Sequence, residues 1–276
     1  MFCSNCGYEL KEDTNFCPNC GLYRRNRLKH NMNFCPNCGT KVVSTIPIAS
    51  NGPSNPFIDL DGKAYKTVRI NDQVWMAENL SYEIDGGKSY GEDSEVRVDY
   101  DNTRDLSSDE IQANLNKYGR LYDWETANKI CPSGWRLPNN DDWNKLNSYV
   151  CSKIPTKISR IGKYIKAGDG WNSWHDHKGK EKSGNGEDRF GFAALPGGCY
   201  DSSSCRFELE GEYGCWWSAT EDWHNNAEYS HIDSSKVLTP SHATHAYYFY
   251  MNHINSTIEW NSRFKRDLCS VRYVKD

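Results

Sequence analysis

Six cysteines in the first 38 residues fall into three Cys-x-x-Cys pairs: Cys3/Cys6, Cys17/Cys20 and Cys35/Cys38. Two residues between cysteines let both thiolates of a tight turn converge on one tetrahedral ion. Gly21 and Gly39, directly after the second and third pairs, supply the positive φ that such a knuckle commonly requires. Two knuckles make one closed four-thiolate site for Zn2+. Ten residues separate Cys6 from Cys17, room for a short hairpin, so Cys3, Cys6, Cys17 and Cys20 are the expected zinc ligands. A redox or disulfide use of these pairs is disfavoured, because the βαβ setting of a redox Cys-x-x-Cys motif is missing. Cys35/Cys38 repeats the second knuckle, but a lone thiolate pair does not close a structural site. His30, a second chain, or competition with Cys3/Cys6 for Cys17/Cys20 would have to complete it, and we read it as an unfilled knuckle.

A second concentration of chemistry-bearing residues lies late in the chain. Trp223, His224, Asn225, Asn226 and Tyr229 fall in one polar loop, and Asn252, His253, Asn255, Trp260, Asn261 and Arg263 fall around another. Trp and Tyr give large contact area at low entropic cost, while Asn and His give adaptable hydrogen bonds. The pattern predicts a shared surface or shallow groove at one end of the domain that binds a protein or carbohydrate ligand, with Trp216, Trp217, Tyr248 and Tyr250 left to the core. His175-Asp176-His177 has the composition of a metal site but sits in a Gly/Lys-rich stretch that reads as a solvated loop. No phosphate-binding Gly-Lys-Ser/Thr loop, Gly-x-Ser-x-Gly elbow or His-Glu-x-x-His helix appears. No catalytic residue is assigned, and the chain is read as non-enzymatic.

The elements that must position these residues follow from composition and periodicity. The 276 residues carry 33 basic and 37 acidic side chains and ten tryptophans, enough apolar material for a real core and no general attraction to nucleic acid or anionic lipid. The basic run Arg24, Arg25, Arg27, Lys29 and His30 is read as a solvated loop, not a nucleic-acid surface. No stretch is apolar enough to span a membrane and the start lacks the signature of a secretion signal, so the expected location is the cytoplasm. The segment 44–56, with three prolines, one glycine and no charge, reads as a linker between a ribbon at 1–43 and a domain at 57–276. Within that domain Tyr65–Ile70 and Gln73–Ala77 form a hairpin around Asn71-Asp72. Ser107 or Ser108 caps a helix with Ile111, Leu115 and Tyr118 on one face, and Leu121, Trp124, Ala127 and Cys131 suggest another. The clearest helix runs from Asn139 to Ile154, capped by Asn140 or Asp141, with Trp143, Leu146, Val150 and Ile154 as its stripe. The stretches 216–220, 246–251, 258–260 and 270–274 read as strands. Helices early and strands late argue an α+β class.

Seven motifs then occur in order. They are Thr67-Val-Arg-Ile, Val74-Trp-Met-Ala-Glu-Asn-Leu80, Gly119-Arg-Leu-Tyr-Asp-Trp124, Cys131-Pro-Ser-Gly-Trp-Arg-Leu-Pro138, Gly191-Phe-Ala-Ala-Leu-Pro-Gly-Gly198, Trp216-Trp-Ser-Ala-Thr-Glu221 and Ser270-Val-Arg-Tyr-Val-Lys-Asp276. Together they resemble the Fibrobacter succinogenes major paralogous (FISUMP) domain over about residues 57 to 276, and residues 2 to 22 resemble the small zinc ribbons of many bacterial proteins. Trp-Arg-Leu-Pro followed by Trp143 also resembles the formylglycine-generating fold, a relative of C-type lectin folds. That resemblance implies a compact mixed domain whose late loops make a ligand surface. Family members commonly end Val-Arg-Cys, where this chain has Val271-Arg272-Tyr273, which puts a bridge from Cys131 in doubt. Cys131, Cys151 and Cys269 are therefore expected to be reduced and buried, while the states of Cys199, Cys205 and Cys215 stay open. The leading reading is a recognition module with a structural zinc ribbon. The alternatives are a formylglycine-generating-type metal or cysteine enzyme and a lectin-like receptor diversified by a retroelement.

Overall fold

The computed structural model describes residues 56–98, 102–154, 161–223 and 243–276. Of the chain's two units, Met1–Pro47 and Ile48–Asp276, these belong to the second. The ribbon, with Cys3, Cys6, Cys17, Cys20, Cys35 and Cys38, lies outside the described residues, as do the linker short of Pro56 and the loop residues His224, Asn225, Asn226 and Tyr229. In chain order the elements are β1 (Phe57–Ile58), β2 (Ala64–Tyr65), β3 (Thr67–Ile70), β4 (Gln73–Met76), β5 (Gly87–Ser89), β6 (Val96–Arg97), β7 (Thr103–Arg104), α1 (Ser108–Tyr118), β8 (Arg120–Tyr122), α2 (Trp124–Lys129), β9 (Trp135–Arg136), α3 (Asn140–Lys153), α4 (Gly162–Ile165), β10 (Trp174–His175), β11 (Glu181–Lys182), β12 (Gly197–Asp201), β13 (Arg206–Glu210), β14 (Tyr213–Asp222), β15 (His245–Asn252), β16 (Glu259–Phe264), β17 (Cys269–Ser270) and β18 (Val274–Lys275).

The class is α+β, with sheet dominating. One ten-stranded sheet runs β5-β8-β17-β14-β12-β13-β6-β7, with β15 on β14 and β16 on β15, and a four-stranded sheet runs β3-β4-β18-β9. The hairpin of β3 and β4 turns at Asn71, whose φ of 58° is the left-handed conformation that Asn tolerates well. Ten-residue β14 is the spine. Because successive strand residues point to opposite faces, Trp216 enters one apolar cluster with Trp75, Trp143, Phe192 and Phe249, while Trp217 enters the other with Tyr122, Ala246, Cys269 and Tyr273. Helix α3 covers the first face. Its Trp143 ring stacks on Phe249 at 5.1 Å and tilts against Trp75 at 4.9 Å.

Several local expectations are corrected. Asn139, not Asn140 or Asp141, caps α3: its side chain accepts from Asp142 N at 3.0 Å, and Asp142 accepts from Asn139 N at 2.9 Å. This reciprocal pair requires an acid at the third helical position, and only Asn139 as cap places Asp142 there. Leu121 belongs to β8, and the second helix starts at Trp124 with Asp123 as its cap. The closing run 270–274 is not one strand. It divides into β17 in the large sheet and β18 in the small one, so the chain crosses between sheets at Val271–Tyr273. Cys131, Cys199, Cys205, Cys215 and Cys269 carry free thiols, but Cys131 and Cys151 are only half-buried, while Cys269 is fully buried. Tyr273 takes the place where the family pattern puts a cysteine, and its hydroxyl donates to Ala127 O at 2.7 Å.

That crossing carries a guanidinium into the core. Arg272 is 1% exposed. Its Nε donates to Asn79 Oδ1 at 2.8 Å, its Nη2 donates to Ala193 O at 2.8 Å, and its Nη1 donates to Phe192 O. The same Asn79 oxygen accepts from Trp216 Nε1 at 3.0 Å, and its amide donates to Tyr118 O at 2.8 Å. The guanidinium lies over the Phe192 ring at 4.6 Å. Burial lowers its pKa from the usual arginine value, and directed carbonyl and amide oxygens replace the water it lost.

Two outcomes test this frame. Arg272→Met leaves the Phe192 and Ala193 carbonyls without their donor and should destabilise the domain by about 3–5 kcal/mol in urea unfolding. Asp142 is raised by burial, yet the Arg136 and Asn139 hydrogen bonds outweigh this and hold its carboxyl below the usual value. A carboxylate depressed in the folded state contributes stability that is present above its unfolded pKa of about 4 and lost as pH falls through the lower folded value. Urea titrations should show stability dropping on acidification below about pH 4, with a smaller drop for Asp142→Asn.

Candidate functional site

The hairpin of β15 and β16 sorts the late aromatic and amide residues between two faces. Its register opposes His245 to Phe264, Tyr247 to Ser262 and Phe249 to Trp260 on one face, and Ala246 to Arg263, Tyr248 to Asn261 and Tyr250 to Glu259 on the other. On the first face Phe249 closes the core, and beyond it the rings emerge. Trp260 is 61% exposed and meets Tyr247 edge-on at 5.5 Å, while His245 packs on Phe264 at 4.2 Å with Arg266 over that ring at 4.6 Å. These four rings form a ledge along the outer end of the hairpin. Tyr247 Oη donates to Asp222 Oδ1 at 3.4 Å, and burial together with that carboxylate raises its pKa. Asp222 pairs with His245 at one end of the ledge, and Trp223, half-buried, follows directly on Asp222.

The expected site residues therefore separate. Trp260 is on the ledge and Trp223 is at its stem. Asn252 is half-buried, and its side chain accepts from the backbone of Ile254 at 3.0 Å and Asn255 at 2.8 Å. Asn255 accepts from Thr257 N and donates to Glu259. These two amides shape the β15–β16 turn. Asn261 is exposed but on the opposite face from Trp260. Arg263, with a side chain 13% exposed, is held by Asp267 at 2.9 Å. The ledge residues His245, Tyr247 and Phe264 were not singled out from sequence. The signal was available in the two-residue alternation of 245–252, once paired with that of 259–264.

Arg263 belongs to a second feature, a cleft of about 330 Å3 on the opposite face. Tyr213, Tyr248 and Tyr250 wall it, their rings 5.6–5.8 Å apart in sequence of contact, and Cys199, Cys215 and Arg263 also line it. A larger cleft, about 710 Å3, lies between the β5 region and Lys265. Its buried cations are already engaged: Arg120 with Glu92 at 2.8 Å, and Lys265 with Glu221 at 2.6 Å. His175 and the residues around it form a short exposed hairpin of β10 and β11, in which Asp176 accepts from the backbone of Lys178 and Lys180. That is turn chemistry.

The Fibrobacter succinogenes major domain matches residues 68–275, and a zinc-ribbon domain matches residues 2–22. No curated protein and no solved structure matches the chain.

The division between ledge and core is checked by paired substitutions. Trp260→Ala should change unfolding free energy by less than about 1 kcal/mol, whereas Trp216→Ala, fully buried on β14 opposite Phe249 on the same sheet face, should cost about 3–5 kcal/mol. A Trp260→Ala domain as unstable as the Trp216 variant would show that the ledge is structural.

Proposed function

The chain belongs to the Fibrobacter succinogenes major domain family and carries a zinc-ribbon domain ahead of that match, and on this premise we propose a non-catalytic recognition protein. The observation that supports it is the ring ledge of exposed Trp260 with half-buried Tyr247, His245 and Phe264, fixed by strand register and bordered by Asp222 and Ser262. Rigid rings present apolar area without losing rotamer entropy on binding, and the neighbouring hydroxyls of Tyr247 and Ser262 and the His245 imidazole orient a polar ligand. A carbohydrate, with apolar C–H faces edged by hydroxyls, and a protein patch of the same chemistry both suit such a ledge. Trp223, at the stem, extends the surface. The order Trp135-Arg-Leu-Pro138 then Trp143 supports a C-type lectin-like, formylglycine-generating type of fold for the domain.

The ribbon's donor set fits zinc: four thiols in two Cys-x-x-Cys pairs match the ligand number and softness that a closed structural site requires. Cys3, Cys6, Cys17 and Cys20 would hold the ion and tie the segment together, since metal binding supplies the folding free energy of such small modules. A reducing compartment, the cytoplasm, keeps those thiols available.

Full-length protein screened on a glycan array and against immobilised candidate proteins should bind, and Trp260→Ala with Tyr247→Ala should weaken that binding at least roughly thirtyfold, the size of a hot-spot loss. Unchanged binding in the double variant would remove the ledge from the site. Metal analysis should return one zinc per chain, lost on Cys3→Ser with Cys20→Ser while the melting temperature of the large domain stays in place. Two zincs per chain would show that Cys35 and Cys38 have found further ligands.

A further inference from the structure

Three cysteines from distant parts of the chain meet at one register of the large sheet. β12 and β14 pair in parallel at Gly198 and Gly214, and β14 and β17 pair in parallel at Trp216 and Ser270. One step along each pairing places both Cys199 and Cys269 beside Cys215. All three are at most 2% exposed. Their surroundings differ, however. Cys199 and Cys215 line the tyrosine-walled cleft, whereas Cys269 lies behind them, with Arg263 Nη1 3.7 Å from its sulfur.

Directly opposed positions on neighbouring strands lie about 5 Å apart with Cβ atoms on the same side, a spacing that a disulfide spans. Cys215 S–H donates to Cys199. Despite burial, this bond and the Arg263 guanidinium bring the Cys199 thiol down to about 7. Donation to Cys199 and burial push Cys215 up, and burial raises Cys269 to about 12. Asp267 anchors the guanidinium from its far side at 2.9 Å, and Glu208 opposes thiolate formation from β13. Among the described residues no group of three or more His, Cys, Asp or Glu is arranged to hold a metal ion. One activated thiol with a second thiol in reach is the arrangement of a dithiol that oxidises in two steps.

We propose that Cys199 and Cys215 form a peroxide-reactive dithiol, in which Cys199 attacks a small hydroperoxide entering the tyrosine-walled cleft and Cys215 resolves the product to a Cys199–Cys215 disulfide. In the first step the Cys199 thiolate forms an S–O bond with the terminal peroxide oxygen, the O–O bond breaks, and the departing hydroxide or alkoxide takes a proton. In the second step the Cys215 sulfur attacks the Cys199 sulfur, an S–S bond replaces the S–O bond, and the Cys215 proton leaves with the hydroxyl as water. Two thiols lose two electrons in total. One hydroperoxide is reduced, giving two waters when it is hydrogen peroxide. Arg263 is the positioning residue that holds charge beside the thiolate.

The test uses the full-length, zinc-loaded, reduced chain treated with stoichiometric hydrogen peroxide, then alkylated and mapped by mass spectrometry. A Cys199–Cys215-linked peptide pair is expected. Cys199→Ser should abolish it, and Cys215→Ser should leave Cys199 as a sulfenic acid captured by dimedone. Arg263→Gln should slow oxidation of Cys199 roughly tenfold through its smaller thiolate fraction, while Arg263→Lys should keep most of the rate, a difference that a purely structural role would not produce. The linked pair is read in the unsubstituted chain, so a variant that fails to fold leaves the main result in force. Equal alkylation of Cys199 and Cys215 before and after peroxide, or oxidation confined to the exposed Cys205 or to the ribbon cysteines, would overturn the proposal.

Discussion

A charged guanidinium inside a protein is costly unless oxygens replace the water it has lost, and that requirement at Arg272 organises the domain. Its oxygens come from Asn79 after β4 and from the Phe192 and Ala193 carbonyls before β12. Asn79 in turn holds the indole N–H of Trp216 on β14 and the carbonyl of Tyr118 at the end of α1. Four segments far apart in sequence are therefore fixed by one side chain and the amide it faces. The directional cost of leaving any of these groups unpaired is what makes the arrangement unique, where apolar packing alone would tolerate several. The short strands on either side of Arg272 follow from it: the chain must leave the large sheet at Ser270 and join the small one at Val274 to place the guanidinium between them.

With that crossing in place, β17 sits beside β14 and brings Cys269 to Cys215, while β14 keeps one tryptophan on each face. Both tryptophans of the spine are therefore covered by core, and the outward-facing rings belong to the hairpin that extends beyond it. The β15–β16 hairpin starts inside the core at Phe249 and Met251 and ends outside it at His245 and Tyr247. Its ledge is an extension of the stacked core rings past the point where α3 stops covering them.

How much of this could be read from the amino-acid sequence depends on the range of the interaction. The α3 helix was legible because its stripe of Trp143, Leu146 and Val150 and its cap are local, and the β3–β4 hairpin because Asn71-Asp72 suits a two-residue turn. The cap itself was placed one or two residues late, since Asn139, Asn140 and Asp141 are all competent and only the reciprocal bond with Asp142 decides among them. The late polar residues were legible as a type and not as a site. Asn252, Asn255 and Arg263 have the composition of contact residues but serve turns and an ion pair, which only the register and Asp267 reveal. The cysteine cluster was out of reach for the same reason. Residues 199, 215 and 269 look scattered until two strand pairings bring them to one level of a sheet, and nothing local distinguishes Val271-Arg272-Tyr273 from an ordinary exposed strand.

The two features of the hairpin share a backbone and no side chain. Tyr247 and Trp260 face outward from one side of β15 and β16, and Tyr248 and Tyr250 face the thiol cleft from the other. Period-two alternation makes this separation automatic: an odd shift in register would carry the ledge rings into the cleft and the cleft tyrosines into solvent, exchanging both surfaces at once. Register is therefore the quantity that the fold must protect, and the residues nearest the turn do so. Asn252 and Asn255 cap its backbone, Glu259 accepts from Tyr250, Thr257 and Asn255, and at the other end Lys265 N donates to Thr244 O at 3.0 Å. Pinned at both ends, the hairpin cannot slip by one residue without breaking a polar network at the turn. The amides that resemble contact residues thus support the ledge indirectly, by fixing which rings face out.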